Sequence, residues 1–557
     1  MPQAFRCIFL LILWLPCITA HAWTDSDPAI LESMKREFDG KIDRIAVASD
    51  SISVRGSIAI EPDATAYGLA ALPLHASRID LPLDANVEPI RFDAQGAFEW
   101  KVKRLEGDPA HRRDRLFRRW HVVKQKGEQW SIASRGRYAD EIDCRAPDLP
   151  AARPTTQKGL GGWTPNRGPG LENELKELGI GSVTVNVAGL HNALRLEPAS
   201  DTVPYIWDGK TYHLRESVLH DYDRTFQLAQ QNNVMVSAIL LINNIRDPNQ
   251  AEGSLLAHPD ATADGTYAMP NVATPEGENY VAALYNLIAE RWSRTDGKFG
   301  RVHHWIMHNE VDFGWVWTNA GKKSDLAYMD LYQRSMRLMH LATRQYDPHG
   351  DAFISLTHHW SIPGEPYAYG SRRMLELLDL FEEAEGEFKW GLAFHPYPQD
   401  LFEPKTWQDS QATWDWNTAK ITPKNLEVLD AFMRRDTMRF EGAVRKIHLS
   451  ENGFNSRSYS DSDLANQAAG MALAWHKIQR LPAIQVWHYH NWVDHPDEGG
   501  LKIGLRKLPN DPEGPLGKKP IWHLYRSLGT DTQENVSMPY LKVIGLSSWD
   551  EAVHPFP

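Results

Sequence analysis

Two glutamates stand where a carboxylate could break a glycosidic bond. Glu310 directly follows the β-rich run HHWIMHN, and Glu451 directly follows RKIHLS. Such cleavage passes through an oxocarbenium-like transition state and needs two carboxyls flanking the anomeric carbon, about 5–5.5 Å apart when configuration is retained. One glutamate after a strand carries little by itself, because a solvated or helix-capping carboxylate has the same appearance. Histidine points to a rival chemistry. His303, His304, His308, His358, His359, His395, His488, His490 and His495 crowd the same β-rich segments and their ends, and a metal-dependent hydrolase would use such imidazoles as ligands. Alternation along a strand would send some of them outward, where they only pack.

The elements that must position these groups follow from the hydrophobic pattern. From about residue 158 onward, β-rich apolar runs alternate with longer helical patterns, the mark of successive βα units. Candidate strands fall at 158–163, 182–189, 234–242, 302–309, 352–359, 390–397, 445–452 and 483–490. Between them lie helical patterns such as NYVAALYNLIAERW and YMDLYQRSMRLMHLATRQY. Eight units in succession predict a closed (β/α)8 TIM barrel rather than an open sheet, which puts Glu310 after strand four and Glu451 at the end of strand seven. Both are C-terminal strand ends, where a barrel keeps its catalytic side chains. Long insertions after strand three (243–278) and strand six (PQDLFEPKTWQDSQATWDWNTAK) are candidate cleft walls. Trp315 and Trp317 after strand four, and Trp407, Trp414 and Trp416 after strand six, are candidate sugar contacts or loop packing.

Ahead of the barrel, residues 40–135 hold short alternating runs separated by turns, which reads as an antiparallel β-sandwich accessory domain. We read it as a brace rather than a sugar-binding module, because RLFRRWHVVK is charged and shows no aromatic platform. A proline-rich linker at 136–156, with few contacts to cross it, leads to the catalytic barrel at 157–532 and a C-terminal tail at 533–557. Residues 1–22 combine a basic start, an apolar run and small residues at Ala20 and Ala22, the pattern of a cleaved secretory signal. The expected location is therefore secreted or periplasmic, with no membrane span in the mature chain. Cys7 and Cys17 lie in that signal, so Cys144 is the mature chain's lone cysteine and no intrachain disulfide can form. A formal charge of −12 argues against a nucleic-acid partner, while 21 tryptophans fit a carbohydrate ligand. Neither a Rossmann nor a P-loop glycine fingerprint is present, and no metal or organic cofactor is implied.

Residues 155–530 resemble the clan A retaining glycoside hydrolases. In that clan the acid/base follows an asparagine at the end of strand four and the nucleophile ends strand seven, matching Asn309-Glu310 in IMHNEVDFGW and Glu451 in HLSENGF. The segment AFHPYP looks like the clan's His-x-Tyr pattern on strand six, carried by His395 and Tyr397, and Trp487 in QVWHYHNW matches a tryptophan under the sugar on strand eight. GKKPIWHLYRSL resembles the start of the last barrel helix. The resemblance implies that Glu310 acts as acid/base with a raised pKa, that Glu451 stays ionised to attack, and that Asn309 binds the sugar 2-hydroxyl. It further implies that Tyr397 orients Glu451, and that His395 bonds near the acid/base or the sugar. Many clan families also carry an arginine at the end of strand two. SVTVNVAGLHN has none, so Asn186, His191 or a residue from another strand would take its place.

Two alternatives stay open. A metal-dependent hydrolase of the amidohydrolase-like kind needs a His-x-His on strand one, which KGLGGW lacks; His488 and His490 form such a pair only on strand eight. A non-catalytic carbohydrate-binding protein would keep the cleft but lose the turnover, and the presence of both glutamates argues against it. Ser-His-Asp chemistry has no G-x-S-x-G elbow to support it.

Overall fold

A computed structural model describes residues 27–61, 63–108, 113–165, 171–247 and 249–556; the predicted signal at 1–22 lies outside them. Eight parallel strands close into a barrel: Lys158–Leu160, Ser182–Val187, Met235–Leu240, His304–Met307, Asp351–Thr357, Trp390–His395, Ile447–Asn452 and Ile484–Tyr489. Closure is made where strand eight pairs with strand one, Lys158 opposite Trp487 and Leu160 opposite Tyr489. The strands are short and apolar because both faces are covered, by helices outside and by interdigitating side chains within. Strands three, five and six are buried along their whole length.

Alternation divides those side chains. Ile239, Leu241, Ile306, Phe353 and Ala393 form a separate apolar cluster in the barrel's interior, while Val183, Val185, Val187, Trp305 and Trp487 join the large cluster shared with the helices. Several helices start on a hydroxyl cap: Thr274 accepts from Gly277 N (3.2 Å), Ser324 from Ala327 N (3.0 Å) and Ser460 from Asp463 N (3.3 Å). These hold Pro275–Arg291, Asp325–Arg344 and Asp461–Ile478 in place around strands three, four and seven. Among the described residues, no helix is long and apolar enough to cross a membrane.

The N-terminal region forms two four-stranded sheets. One runs in the order Glu141–Ile142, Gly40–Val47, Ser51–Ile58, Ala97–Lys103, and the other Val87–Pro89, Ala66–Leu72, Arg119–Lys126, Gln129–Ile132. All neighbours are antiparallel except Glu141–Ile142, which runs parallel to Gly40–Val47. Ile45, Ile52, Leu69 and Val122 are fully buried and belong to the same apolar cluster as the barrel's outer layer. The 136–156 stretch is tied down rather than free: Arg145 N donates to Gln345 O (2.7 Å) and Arg301 Nη1 to Pro150 O (2.9 Å). Beyond the last barrel helix, Pro520–Ser527, residues 533–556 carry a further helix, Gln533–Ile544, and fold back so that His554 stacks on Trp414 (4.3 Å).

Candidate active site

Glu310 and Glu451 reach the barrel mouth by two departures from regular strand geometry. After Met307 both His308 (φ 65°) and Glu310 (φ 40°) take left-handed backbone, an unusual state for residues with a Cβ. His308 is thereby turned into the helix layer, where Nδ1 meets Leu240 O (3.0 Å) and Nε2 meets Ser335 Oγ (3.0 Å). The next turn is stapled down, with Glu310 N donating to Ser355 Oγ (3.0 Å) and Phe313 N to Glu310 O (2.8 Å). Strand seven uses a bulge. Strict alternation would send Glu451 outward with Leu449, but the register slips between Leu449 and Asn452, where three steps on strand seven match two on strand eight. A bulge re-aims the side chain it contains, and Glu451 meets the residues of strand six while Asn452 bonds the outward-facing Trp487.

Strand six supplies the link between the two carboxyls. His395 is fully buried and its Nδ1 lies 2.9 Å from Glu310 Oε1. Two residues later, the Tyr397 hydroxyl donates to Glu451 Oε1 at 2.6 Å. Burial alone would discharge His395, yet Glu451, Glu310 and Asp312 together hold its pKa above the ordinary 6.5. Burial likewise disfavours the charged form of Glu451, but His490, His395 and the Tyr397 hydrogen bond outweigh it and keep its carboxyl below the usual range. Tyr397 is pushed well above its ordinary value by burial and by Glu451, which keeps it a donor. Glu310 retains some solvent access, its side chain being 16% exposed.

Asp312, fully buried beneath this pair, was not singled out by sequence. It accepts from Thr357 N (2.9 Å), Thr357 Oγ1 (2.5 Å) and Ser371 Oγ (2.8 Å), and burial pushes its pKa up to about 6.

In place of the expected strand-two arginine, a histidine two strands round the barrel comes near Glu451. His490, at the end of strand eight, lies against Gly161 and Gly162 of strand one's end, where a Cβ on Gly161 would come within 3.3 Å of it. Its backbone N donates to Asn452 O (2.7 Å), beside Glu451, and its Nε2 is 3.3 Å from Glu498 Oε1. His191 turns to its neighbour Asn192 instead (2.9 Å). Asn186 is exposed at the end of strand two, and Asn309 is half-buried beside Glu310 with its carbonyl accepting from Thr318 Oγ1 (2.8 Å).

Trp487 is a correction. The resemblance implies a sugar platform, but the side chain is 0% exposed, packs against Trp475 and Tyr489, and donates its Nε1 to Asn452 Oδ1 (2.9 Å). Beyond a register shift at Gln485, Trp487 and Tyr489 face the helices and His488 faces inward, so His490 rather than Trp487 reaches the mouth. The period-two pattern of the sequence already contained that signal. Trp414 and Trp416 are likewise committed to packing, against His554 and Phe556 of the C-terminal segment. Trp315 stays half-buried on the loop after strand four, its Nε1 bonded to Asp264 Oδ2 (2.8 Å).

Of the other candidate histidines, His495 is half-buried beside Asp497 (3.7 Å), and the rest are engaged in packing or hydrogen bonds. His304, His448 and Phe353 stack inside the barrel, with centroids 4.4–5.4 Å apart, and His488 Nε2 meets Ser182 Oγ (2.9 Å). His303 Nδ1 accepts from Val236 N (3.0 Å), and His358 stacks on His359 (4.3 Å). Among the described residues, no group of three or more His, Cys, Asp or Glu side chains is placed to hold a metal ion.

Fold and site together define a closed parallel (β/α)8 barrel with a glutamate pair at its C-terminal mouth. The chain belongs to the family of unknown function DUF5722, whose model matches residues 150–552. Among solved structures it is similar to a family 39 glycoside hydrolase from Bacteroides cellulosilyticus WH2, at 13% identity, with 88% of this chain and 83% of that one covered and a TM-score of 0.42. It is also similar to the exo-β-1,4-mannosidase Op5Man5 from Opitutaceae bacterium strain TAV5 (14% identity, 68% and 60% covered, TM-score 0.40). A family 1 β-glucosidase from Thermotoga maritima matches at 12% identity, with 68% and 98% covered and a TM-score of 0.40. No curated protein matches the sequence.

Proposed function

We propose that the protein is an exported, retaining glycoside hydrolase of the clan A kind acting on an oligo- or polysaccharide outside the cytoplasm. One observation carries the reading. Two glutamates at the ends of strands four and seven are joined through neighbouring residues of strand six, His395 on Glu310 and Tyr397 on Glu451. The two carboxyls are thereby given different partners and so different tasks. Glu451, kept ionised, attacks the anomeric carbon as Glu310 gives its proton to the leaving oxygen, and the glycosidic C–O bond breaks as the glycosyl ester forms. Glu310, now ionised, takes a proton from water, whose oxygen displaces Glu451 and restores the starting state. His395 holds one oxygen of Glu310 and leaves the other for proton transfer. Asn309 and Asn186 are assigned to the sugar hydroxyls.

In this reading residues 1–22 are a cleaved secretory signal and the protein is secreted or periplasmic. The two N-terminal sheets form a β-sandwich that braces the barrel rather than binding sugar. The test is a screen of the purified protein against a glycan panel, followed by Glu451→Ala and Glu310→Ala. Glu451→Ala abolishes turnover, and Glu310→Ala lowers it by roughly 10²–10⁴-fold. Full activity in Glu451→Ala refutes the assignment, as does inversion at the anomeric carbon seen by NMR.

A further inference from the structure

The loops after strands three, four and five form one rigid wall on the Glu310 side of the mouth. Val316 O accepts from Thr266 N (2.7 Å), Met269 N donates to Asn319 O (2.8 Å) and Asn319 N to Tyr267 O (2.9 Å), so loops three and four share a small ladder. The Asn319 side chain adds bonds to Thr262 Oγ1 (2.9 Å) and to Trp315 O (2.6 Å). Loop five is tied to the same turn, with Tyr369 N donating to Asp312 O (2.7 Å). Thr318 Oγ1 fastens the turn back to Asn309 O (2.8 Å). Trp315, five residues beyond Glu310, is carried on this wall.

Trp315 is held as a fixed plane. Its indole N–H is anchored on Asp264 Oδ2 (2.8 Å), and Tyr367 backs it with ring centroids 4.8 Å apart and planes 32° off parallel. Tyr367 is in turn supported by the Lys322 ammonium, 5.2 Å from its centroid. Tyr367 is 43% exposed and holds left-handed backbone (φ 68°), a costly conformation for an aromatic residue that here sets its ring against Trp315. Among the described residues no other aromatic ring stacks on Trp315, which remains half-buried. Deeper in the mouth, Tyr267 packs over the barrel's interior cluster and lies 6.3 Å from Trp317. Two aromatic pairs, Tyr267 with Trp317 and Trp315 with Tyr367, thus stand on loops three, four and five. Such surfaces suit the apolar faces of sugar rings.

Sidedness follows from chemistry. The group that leaves is the one protonated by the acid, so the wall next to Glu310 borders the leaving-group half of the cleft, while Glu451 lies across the barrel on strand seven. We infer that Trp315, fixed by Asp264 and Tyr367, is a stacking subsite for a sugar unit of the leaving group. The substrate class is then a saccharide chain with at least one sugar on each side of the scissile bond, rather than a simple glycoside with a small aglycone. This inference rests on the hydrolase reading above.

The test compares two substrate types in the full chain. Glycosyl fluorides of glucose, galactose, mannose, xylose and glucuronic acid have a one-atom leaving group that cannot stack. Di- to pentasaccharides of whichever sugar is turned over can. Trp315→Ala is expected to lower kcat/KM on the oligosaccharides about tenfold or more while changing the fluoride rate less than twofold. Asp264→Ala, which removes the exposed anchor of Trp315 along with a bond to Thr262, is expected to give a smaller loss with the same selectivity and an unchanged thermal midpoint. Equal losses on both substrate types, no loss on oligosaccharides, or wild-type turnover of fluorides but of no oligosaccharide overturns the subsite and leaves the hydrolase standing. Wild-type turnover of neither type refutes the hydrolase, and the subsite falls with it.

Discussion

Two of the buried places where charged side chains meet in this protein have opposite outcomes. Where the N-terminal sheets cover the barrel helices, Arg78 pairs with Asp330 (2.5 Å) and Glu385 (2.7 Å), Arg119 stands 3.6 Å from Glu385, and Gln333 adds a bond to it (3.2 Å). Burial opposes the charge on Glu385, but Arg78 and Arg119 outweigh it and hold its carboxyl at about 2. At the barrel mouth, Glu310 and Glu451 face each other's partners instead of an arginine, and His395 keeps an Nε2 with no partner among the described residues. The first arrangement saturates every carboxylate with permanent cations and locks two regions together. The second leaves protons that can move. Buried charge is structural where its partners cannot titrate and chemical where they can.

The comparison can be broken most sharply by exchanging the consequences of truncation. Glu451→Ala should abolish turnover yet leave the thermal midpoint near that of the wild type. Glu385→Ala should do the reverse, destabilising the fold by about 3–5 kcal/mol because buried guanidinium groups lose their counter-charge, with activity per folded molecule retained. Calorimetry together with active-site titration separates the two; a stable Glu385→Ala protein would show that the interface cluster holds nothing.

Acid should find the same cluster. Glu385 has its folded pKa depressed from the ordinary 4.5, so its contribution to stability is complete above about pH 4.5 and is lost as pH falls through about 2. Denaturant melts between pH 6 and 2 would show a decline that Glu385→Gln lacks.

At the mouth, His490→Gln removes the charge that most lowers the Glu451 pKa, so that pKa rises and the acidic limb of the kcat/KM profile moves to higher pH. An unmoved limb with reduced kcat would reduce His490 to a packing residue. The smallest effect is expected at Trp487→Phe. Loss of the bond to Asn452 costs about 1–3 kcal/mol of stability, while KM and kcat on the active substrate stay unchanged.

Much of this was legible in sequence. Alternating β and α runs named the eight barrel strands within a few residues, because a strand covered on both faces must be short and apolar. The same count put Glu310 and Glu451 at strand ends, and the clan resemblance put His395 and Tyr397 beside the carboxylates, where they lie. Direction was less accessible. A one-residue bulge between Leu449 and Asn452 decides that Glu451 meets Tyr397, and it arises from pairing with strand eight, far away in the chain. Left-handed backbone at His308 and Glu310 depends on contacts to Leu240, Ser335 and Ser355 that no local pattern announces.

Sequence by itself determined the barrel and the placement of its two glutamates, since hydrophobic period and strand length are local properties of the chain. Tertiary structure alone decided which aromatic residues face the cleft and which groups surround Glu451. Trp487 went to the core, Trp414 and Trp416 to the C-terminal segment, and His490 came close enough to Glu451 to lower its pKa. The physical reason is that inward or outward aim is set by register, bulges and packing partners, and those exist only once distant parts of the chain have met.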